Sequence, residues 1–219
     1  MIDLHSPNLH KNIINYLSKC IKSGWISTSG NLVNQFEKEI SKFTGAKYAI
    51  ACNSGTSALH LSLKLAGVKP GDEVIAPTLT FVASINAILY NSSTPIFMDS
   101  DCFFNIDVEK TIKFLRENTF KKKGFTYNKK TKKKISAILV THVWGNAVYF
   151  NNLVKECKKR NINLVEDASE SLGTRYKKNN KHTGTFGLLG VLSFNANKII
   201  TTGSGGMILT NSLKLAKKA

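Results

Sequence analysis

Short apolar runs recur along this chain at intervals filled by helix-like segments, and that alternation restricts the fold more than any other feature. The runs "YAIAC", "EVIAP", "PIFMD", "ISAILVT" and "INLVED" are apolar nearly end to end rather than at every second residue. Runs of that length and composition suit strands buried on both faces. Between them lie "NSGTSALHLSLKLAG", "FVASINAILYNS", Val108–Glu117 and Asn152–Arg160, each patterned for a helix. Two helices are expected earlier. Asn8–Ser23 carries Leu9, Ile13, Leu17 and Cys20 or Ile21 at helical spacing before Gly24, and Asn31–Thr44 carries Leu32, Phe36, Ile40 and Phe43 before Gly45. Near the end, "VLSFN" and "GGMILT" read as two strands flanking a turn that holds Lys198. Strand and helix in alternation predict an α/β fold with a mostly parallel central sheet. No internal repeat or Pro/Gly-rich linker divides the chain.

The 219 residues are 42% hydrophobic and include 12 Phe, enough for a sizeable core. No apolar run approaches about 18 residues, so a membrane partner is not expected. The amino-terminal "MIDLHSPNLHKN" lacks the ordered charged, apolar and small-residue regions of a leader. Cys20, Cys52, Cys102 and Cys157 are scattered and form no CxxC pair, and the five histidines are scattered too. That pattern predicts neither a metal site nor a disulfide framework, and it fits a cytoplasmic location. The net charge of +17 raises nucleic acid as a partner. Much of the excess sits in "KKKGFTYNKKTKKK", Lys121–Lys134, within a basic insertion of about 119–134 that reads as aperiodic and solvated. No helix-turn-helix, RNP or zinc-finger pattern accompanies it, so nucleic acid is not the expected partner.

Three strand ends carry unusual chemistry. "NSGTSAL", Asn53–Leu59, follows a strand and opens a helix. Gly55 permits close backbone approach, and Thr56 and Ser57 add hydroxyls where helix N–H groups point outward, which suits a phosphate; an ordinary helix cap would use the same residues. It lacks the GK[ST] ending of a Walker A loop. In "NLVEDASES", Asp167 stands where an apolar strand ends; a protonated ring nitrogen would partner it, and a helix cap would also account for it. In "SFNANKIITTGSGGMI", Lys198 lies between two strand-like runs, where a close-packed amine can lose its proton and bond a carbonyl. A phosphate cradle, a carboxylate for a ring nitrogen and a lysine for an aldehyde are together what pyridoxal 5'-phosphate requires. Phe81, just after "EVIAP", is placed to stack on such a ring or to fill the core.

With those residues in view, the chain resembles the DegT-type nucleotide-sugar aminotransferases, a branch of the fold-type-I pyridoxal-phosphate enzymes. The similarity runs from about Gly24 onward, through "GWISTSGNLVNQFEKEISKFTGAKYAIACNSGTSALHLSL", "GDEVIAPTLTFVASINAI", "LVEDASESLG" and "SFNANKIITTGSGGMI". The resemblance implies a three-layer α/β/α large domain over residues 1–219, with a smaller C-terminal domain missing after Ala219. It implies that Lys198 is the Schiff-base lysine and proton shuttle and that Asp167 pairs with the pyridine nitrogen. Gly55, Thr56, Ser57 and Ser193 would hold the phosphate, and Phe81 would stack. Glu170 stands where the family often has glutamine against the ring's phenolic oxygen; a glutamate there would need a shared proton. "THVWGN", Thr141–Asn146, resembles the substrate-side loop and makes His142 a candidate substrate contact. Relatives with histidine at the lysine position act as dehydratases, so Lys198 implies amino transfer. The implied activity moves an amino group from glutamate to a 4-keto-6-deoxy nucleotide sugar in surface-glycan precursor synthesis, in a homodimer. A shortened, non-catalytic cofactor-binding or interaction fragment is the alternative.

Overall fold

The computed structural model describes residues 6–28 and 30–219. Residues 1–5 of the stretch read above for a leader, and Ser29 of "GWISTSG", lie outside the described residues. Each expected strand forms. In chain order they are β1 (Tyr48–Cys52), β2 (Glu73–Pro77), β3 (Thr94–Met98), a hairpin of β4 (Thr119–Lys122) and β5 (Phe125–Asn128), then β6 (Ile135–Thr141), β7 (Asn163–Asp167), β8 (Leu189–Ser193) and β9 (Gly206–Thr210). Seven of them make one sheet in the order β1-β9-β8-β7-β6-β2-β3. β9 runs antiparallel to both β1 and β8, and every other neighbouring pair is parallel.

The helices are α1 (Ile13–Ser23), α2 (Asn31–Thr44), α3 (Gly55–Leu65), α4 (Val82–Tyr90), α5 (Val108–Glu117), α6 (Asn151–Arg160) and a short α7 (Leu213–Ala216). They cover both faces because successive strand side chains point to opposite sides. Val74 and Ala76 of β2 and Ala137 and Leu139 of β6 pack in one cluster with Ala58, Leu59 and Leu63 of α3 and Ala87 and Ile88 of α4. Ile75, Ile138 and Val140, one residue out of phase, pack with Ile112 and Leu115 of α5 and Leu153 and Cys157 of α6. A third cluster joins Ile40 of α2 to Ala49, Leu192 and Leu209 at the β1-β9-β8 edge. Fully burying one such Leu, Ile or Val stabilises by about 1.5–3 kcal/mol, so these two layers supply most of the driving force for folding. Burial also pushes the Cys157 thiol up to about 12, keeping it protonated at neutral pH. No helix among the described residues is long and apolar enough to cross a membrane.

Two segments depart from the sequence reading. α1 starts at Ile13 rather than Asn8, and none of its residues is buried; Leu17 and Ile21 face outward. Helical periodicity reports that a helix has an apolar side, not that the side has a neighbour. The basic stretch is not aperiodic. It is an antiparallel hairpin, turned by Lys123 and Gly124, both in the left-handed region (φ 49° and 81°), a geometry that matches strand twist. The hairpin is anchored as well as solvated. Thr126 is buried and donates its hydroxyl to the Arg160 carbonyl at 2.7 Å, and Phe120 stacks on Tyr127 with ring centroids 5.7 Å apart. The buried Asn128 amide donates to Glu73 Oε2 at 2.9 Å. The run of exposed lysines at 121–123, on the last residues of β4 and in the turn, hides this pattern in the sequence, because solvated charge says nothing about the backbone beneath it.

Asn128 supplies a donor to a carboxylate that water scarcely reaches. Asn128→Ala should therefore destabilise the fold by about 1–3 kcal/mol, the cost of leaving a buried polar group unpaired. Chemical denaturation would read this, with Lys122→Gln on the exposed side of the hairpin staying within about 0.5 kcal/mol of the parent.

Candidate active site

The parallel strands deliver their carboxyl ends to one place. β1 runs through Asn53 and Ser54 into α3, β2 runs through Thr78 and Phe81 into α4, and β6, β7 and β8 end at Thr141, Asp167 and Ser193. β9 is reversed, so its starting end, Gly205–Gly206, arrives beside them. Between these ends lies a cleft of about 470 Å³. Gly55, Thr56, Phe81, Asp167, Glu170, Ser193 and Lys198, each singled out in the sequence, all line it.

One wall suits an anion. The first N–H groups of a helix have no intrahelical acceptor. At α3 the Ser54 hydroxyl takes the Ser57 N–H at 3.1 Å, and the amides of Gly55 and Thr56 have none within the helix. Gly55 is required for closeness: a Cβ there would lie 2.8 Å from Ser193 Cβ, so any side chain would push α3 off the end of β8. The result sets Ser54, Thr56, Ser193 and Ser204 around one end of the cleft. Ser57, expected among the phosphate donors, does not line the cleft. Its Oγ sits 3.0 Å from Ser54 Oγ, within the cap itself. Ser54 caps the helix, and the Gly55 and Thr56 amides are left without an intrahelical acceptor.

The opposite wall carries the carboxylate and the amine. Asp167 is buried. Its Oδ2 accepts from Ser84 of α4 at 2.7 Å and its Oδ1 from the Ser169 N–H at 3.1 Å. No helix follows Asp167, so it caps none. Ser84 accepts in turn from Thr80 at 2.9 Å, and Thr80 and Thr141 share a 3.0 Å hydrogen bond. With Thr80 donating to Ser84, the bonds run Thr141 to Thr80 to Ser84 to Asp167, ending on the carboxylate. This relay escaped the sequence reading, although a lone serine on the sheet side of an apolar helix was its signal. Lys198 Nζ lies 3.1 Å from Glu170 Oε1 and 5.7 Å from the Phe81 ring centroid. Phe81 is 68% exposed, so it faces the cleft rather than filling the core. The second Glu170 oxygen accepts the Trp144 N–H at 3.1 Å.

His142 corrects the expectation of a substrate contact. It is fully buried and does not line the cleft. Its Nδ1 accepts the Val148 N–H at 3.1 Å, which places the proton on Nε2, 3.0 Å from Glu166 Oε2. Its neighbours Thr141, Val143 and Trp144 line the cleft instead. Glu166 itself, on the opposite face of β7 from Asp167, accepts the N–H groups of Gly184 (2.9 Å), Phe186 (2.7 Å) and Gly187 (2.5 Å). Nearby, burial holds His182 below its usual pKa, and its Nε2 accepts the Gly173 N–H at 2.7 Å. Among the described residues no group of three or more His, Cys, Asp or Glu is placed to hold a metal ion.

An anion cradle, a fixed carboxylate, an aromatic face and an amine within one small cleft can hold a flat phosphorylated aldehyde. Comparison with known proteins agrees with that chemistry. The model of the DegT/DnrJ/EryC1/StrS aminotransferase family matches residues 7–219. GDP-perosamine synthase of Escherichia coli O157:H7 is 38% identical over 214 residues, covering 98% of this chain and 54% of that protein. Among solved structures, the aminotransferase from Psychrobacter cryohalolentis superposes with a TM-score of 0.84 at 30% identity, over 97% of this chain and 50% of that one. The E. coli GDP-4-keto-6-deoxy-D-mannose-3-dehydratase with bound hydrated PLP gives 0.82 at 28% identity, over 97% and 52%. The chain thus spans about half the length of the relatives it matches.

Glu166 gathers three backbone donors and the His142 imidazole around one buried carboxylate. Glu166→Ala strands all four, and since each buried donor left unpaired costs about 1–3 kcal/mol, the expected loss is several kcal/mol of folding stability. A thermal or denaturant midpoint within error of the parent would show that water replaces the carboxylate.

Proposed function

Because the chain belongs to the DegT/DnrJ/EryC1/StrS aminotransferase family, we propose that it is the cofactor-binding part of a pyridoxal-phosphate-dependent sugar aminotransferase. Its amino donor is glutamate and its acceptor a 4-keto-6-deoxy nucleotide sugar destined for a surface glycan. The observation that carries this reading is the meeting of the α3 amino terminus, Asp167 and Lys198 in a single cleft. The names of the relatives point the same way, to an amino sugar carried on GDP and to a ketone of a GDP-linked deoxyhexose.

The residues present fit the cofactor. The Gly55 and Thr56 amides at the positive end of α3, with the hydroxyls of Thr56 and Ser193, would hold its phosphate. Ser84 and the Ser169 N–H aim the Asp167 carboxylate, which would keep a proton on the ring nitrogen. Phe81 would press on the ring face. When bound, pyridoxal phosphate supplies an electron-withdrawing ring on which an amino group can be held between donor and acceptor. Lys198 would give the amine that bonds the aldehyde and would carry protons at the reacting carbon. Glu170 pairs with Lys198 Nζ and so keeps the amine turned into the cleft. The same reading includes a homodimer, supported by apolar groups exposed at the cleft, Leu79 and Phe81, and by exposed Ile199 next to Lys198 in the chain. It includes a cytoplasmic location, supported by four free thiols.

Lys198→Ala should abolish the borohydride-trappable link between protein and cofactor. Trapping at full yield through another lysine would overturn the assignment. Asp167→Asn should retain the link but slow release of 2-oxoglutarate from glutamate by about two orders of magnitude or more, since stabilising charge at the reacting centre is an electrostatic effect of that size. Near-parental rates would remove Asp167 from this role. A chain that binds the cofactor but transfers no amino group to any 4-keto nucleotide sugar would be a binding fragment.

A further inference from the structure

Trp144 is held at the cleft in a backbone conformation that its side chain disfavours. It sits at φ 50°, ψ 29°, in the left-handed region where a bulky residue is an outlier. Such strain persists only where the surroundings over-determine it, and here they do. The Val143 N–H donates to Asn105 Oδ1 at 3.1 Å, and the Trp144 N–H donates to Glu170 Oε2 at 3.1 Å. The Gly145 carbonyl accepts from Thr174 Oγ1 at 2.9 Å, and the Asn146 carbonyl accepts from the Asn105 amide at 3.2 Å. Three side chains from two other segments thus fix four consecutive residues.

The product of this fixation is an indole 67% exposed at the cleft. One side of it is backed by the Phe104 ring, edge-on at 5.2 Å between centroids and 62° between planes. Phe104 is itself in the left-handed region, at φ 67°. Trp144 and Phe104, both exposed and in contact, make a contiguous aromatic patch that reaches into the cleft, the kind of surface that marks a ligand site. Its position selects which part of a ligand. Glu170 joins the two residues, one oxygen to Lys198 Nζ and the other to the Trp144 backbone N–H, so Trp144 is anchored one carboxylate away from the reacting amine and lines the same cleft. There it meets the portion of a substrate attached to the reacting carbonyl. The negative face of an indole attracts the slightly positive C–H face of a saturated ring. Asn195 and Asn197, also on the cleft wall, offer amides for the hydroxyl edge.

We propose that Trp144, backed by Phe104, is the platform on which the hexose ring of the acceptor stacks, and that it selects a sugar over a short keto acid. This rests on the sugar-nucleotide reading above. Because glycine favours the left-handed region, Trp144→Gly should leave the folding midpoint unchanged or raised while removing the platform. In the chain loaded with pyridoxal phosphate, calorimetry should show GDP-mannose binding weakened by roughly tenfold or more, as for loss of one aromatic stack. GDP alone should bind parent and variant within about twofold, and Trp144→Phe should recover most of the loss. The only other tryptophan is Trp25. In a Trp25→Phe background, GDP-mannose should therefore perturb the Trp144 emission, and GDP should not. Unaltered GDP-mannose affinity in Trp144→Gly, or equal perturbation by GDP, would overturn the platform and leave the aminotransferase reading standing. A parent chain that binds pyridoxal phosphate but neither GDP-mannose nor UDP-glucose would overturn the platform together with the sugar-nucleotide reading.

Discussion

A carboxylate buried behind the cleft is the constraint on which the site depends. Glu166 has no contact with water, and an unpaired charge in that position would be costly. Its four donors come from two segments far apart in sequence, His142 and the 184–187 turn, so satisfying the charge fixes both against the end of β7. β7 then turns the next residue, Asp167, to the other face, where Ser84 and the Ser169 N–H receive it. Adjacent acids on one strand thereby divide into a structural one and a chemical one. The period of two in side-chain direction makes that division.

The reversal of β9 is the second organising feature. With all strands parallel, the amino terminus of β9 would lie at the far edge of the sheet. Running antiparallel between β1 and β8, it brings the Phe194–Gly205 connection, and Lys198 within it, to the same end as the other functional side chains. Close approach of α3 to β8 is then needed to narrow the cleft, and it requires the missing side chain at Gly55.

Much of the excess positive charge lies away from the cleft. The lysine-bearing hairpin precedes the amino end of β6, while the cleft lies at its carboxyl end. Seven residues of strand separate them, about 20 Å. Screening at physiological salt acts over about 8 Å, so the hairpin lysines contribute little to the potential at the cleft. The charges that matter there are local: Lys198, Glu170 and Asp167.

The sequence by itself determined the seven strands of the main sheet, most helices and seven of the residues that line the cleft. Continuous apolar runs, helical spacing and turn residues are local signals, and Asp167 and Lys198 stand at the ends of recognisable elements. It also marked His142 and Ser57, which the folded chain uses otherwise, one as a donor to Glu166 and the other within the α3 cap. Only the folded structure decided those roles, because a polar side chain takes the nearest unpaired partner: for His142 that is Glu166, 24 residues away, and for Ser57 it is the neighbouring cap residue Ser54 rather than the cleft. The same reason hid the Thr141–Thr80–Ser84 relay, the anchoring of the basic hairpin by Thr126 and Asn128, and the strained exposure of Trp144. Each depends on distances between segments that composition and periodicity do not encode.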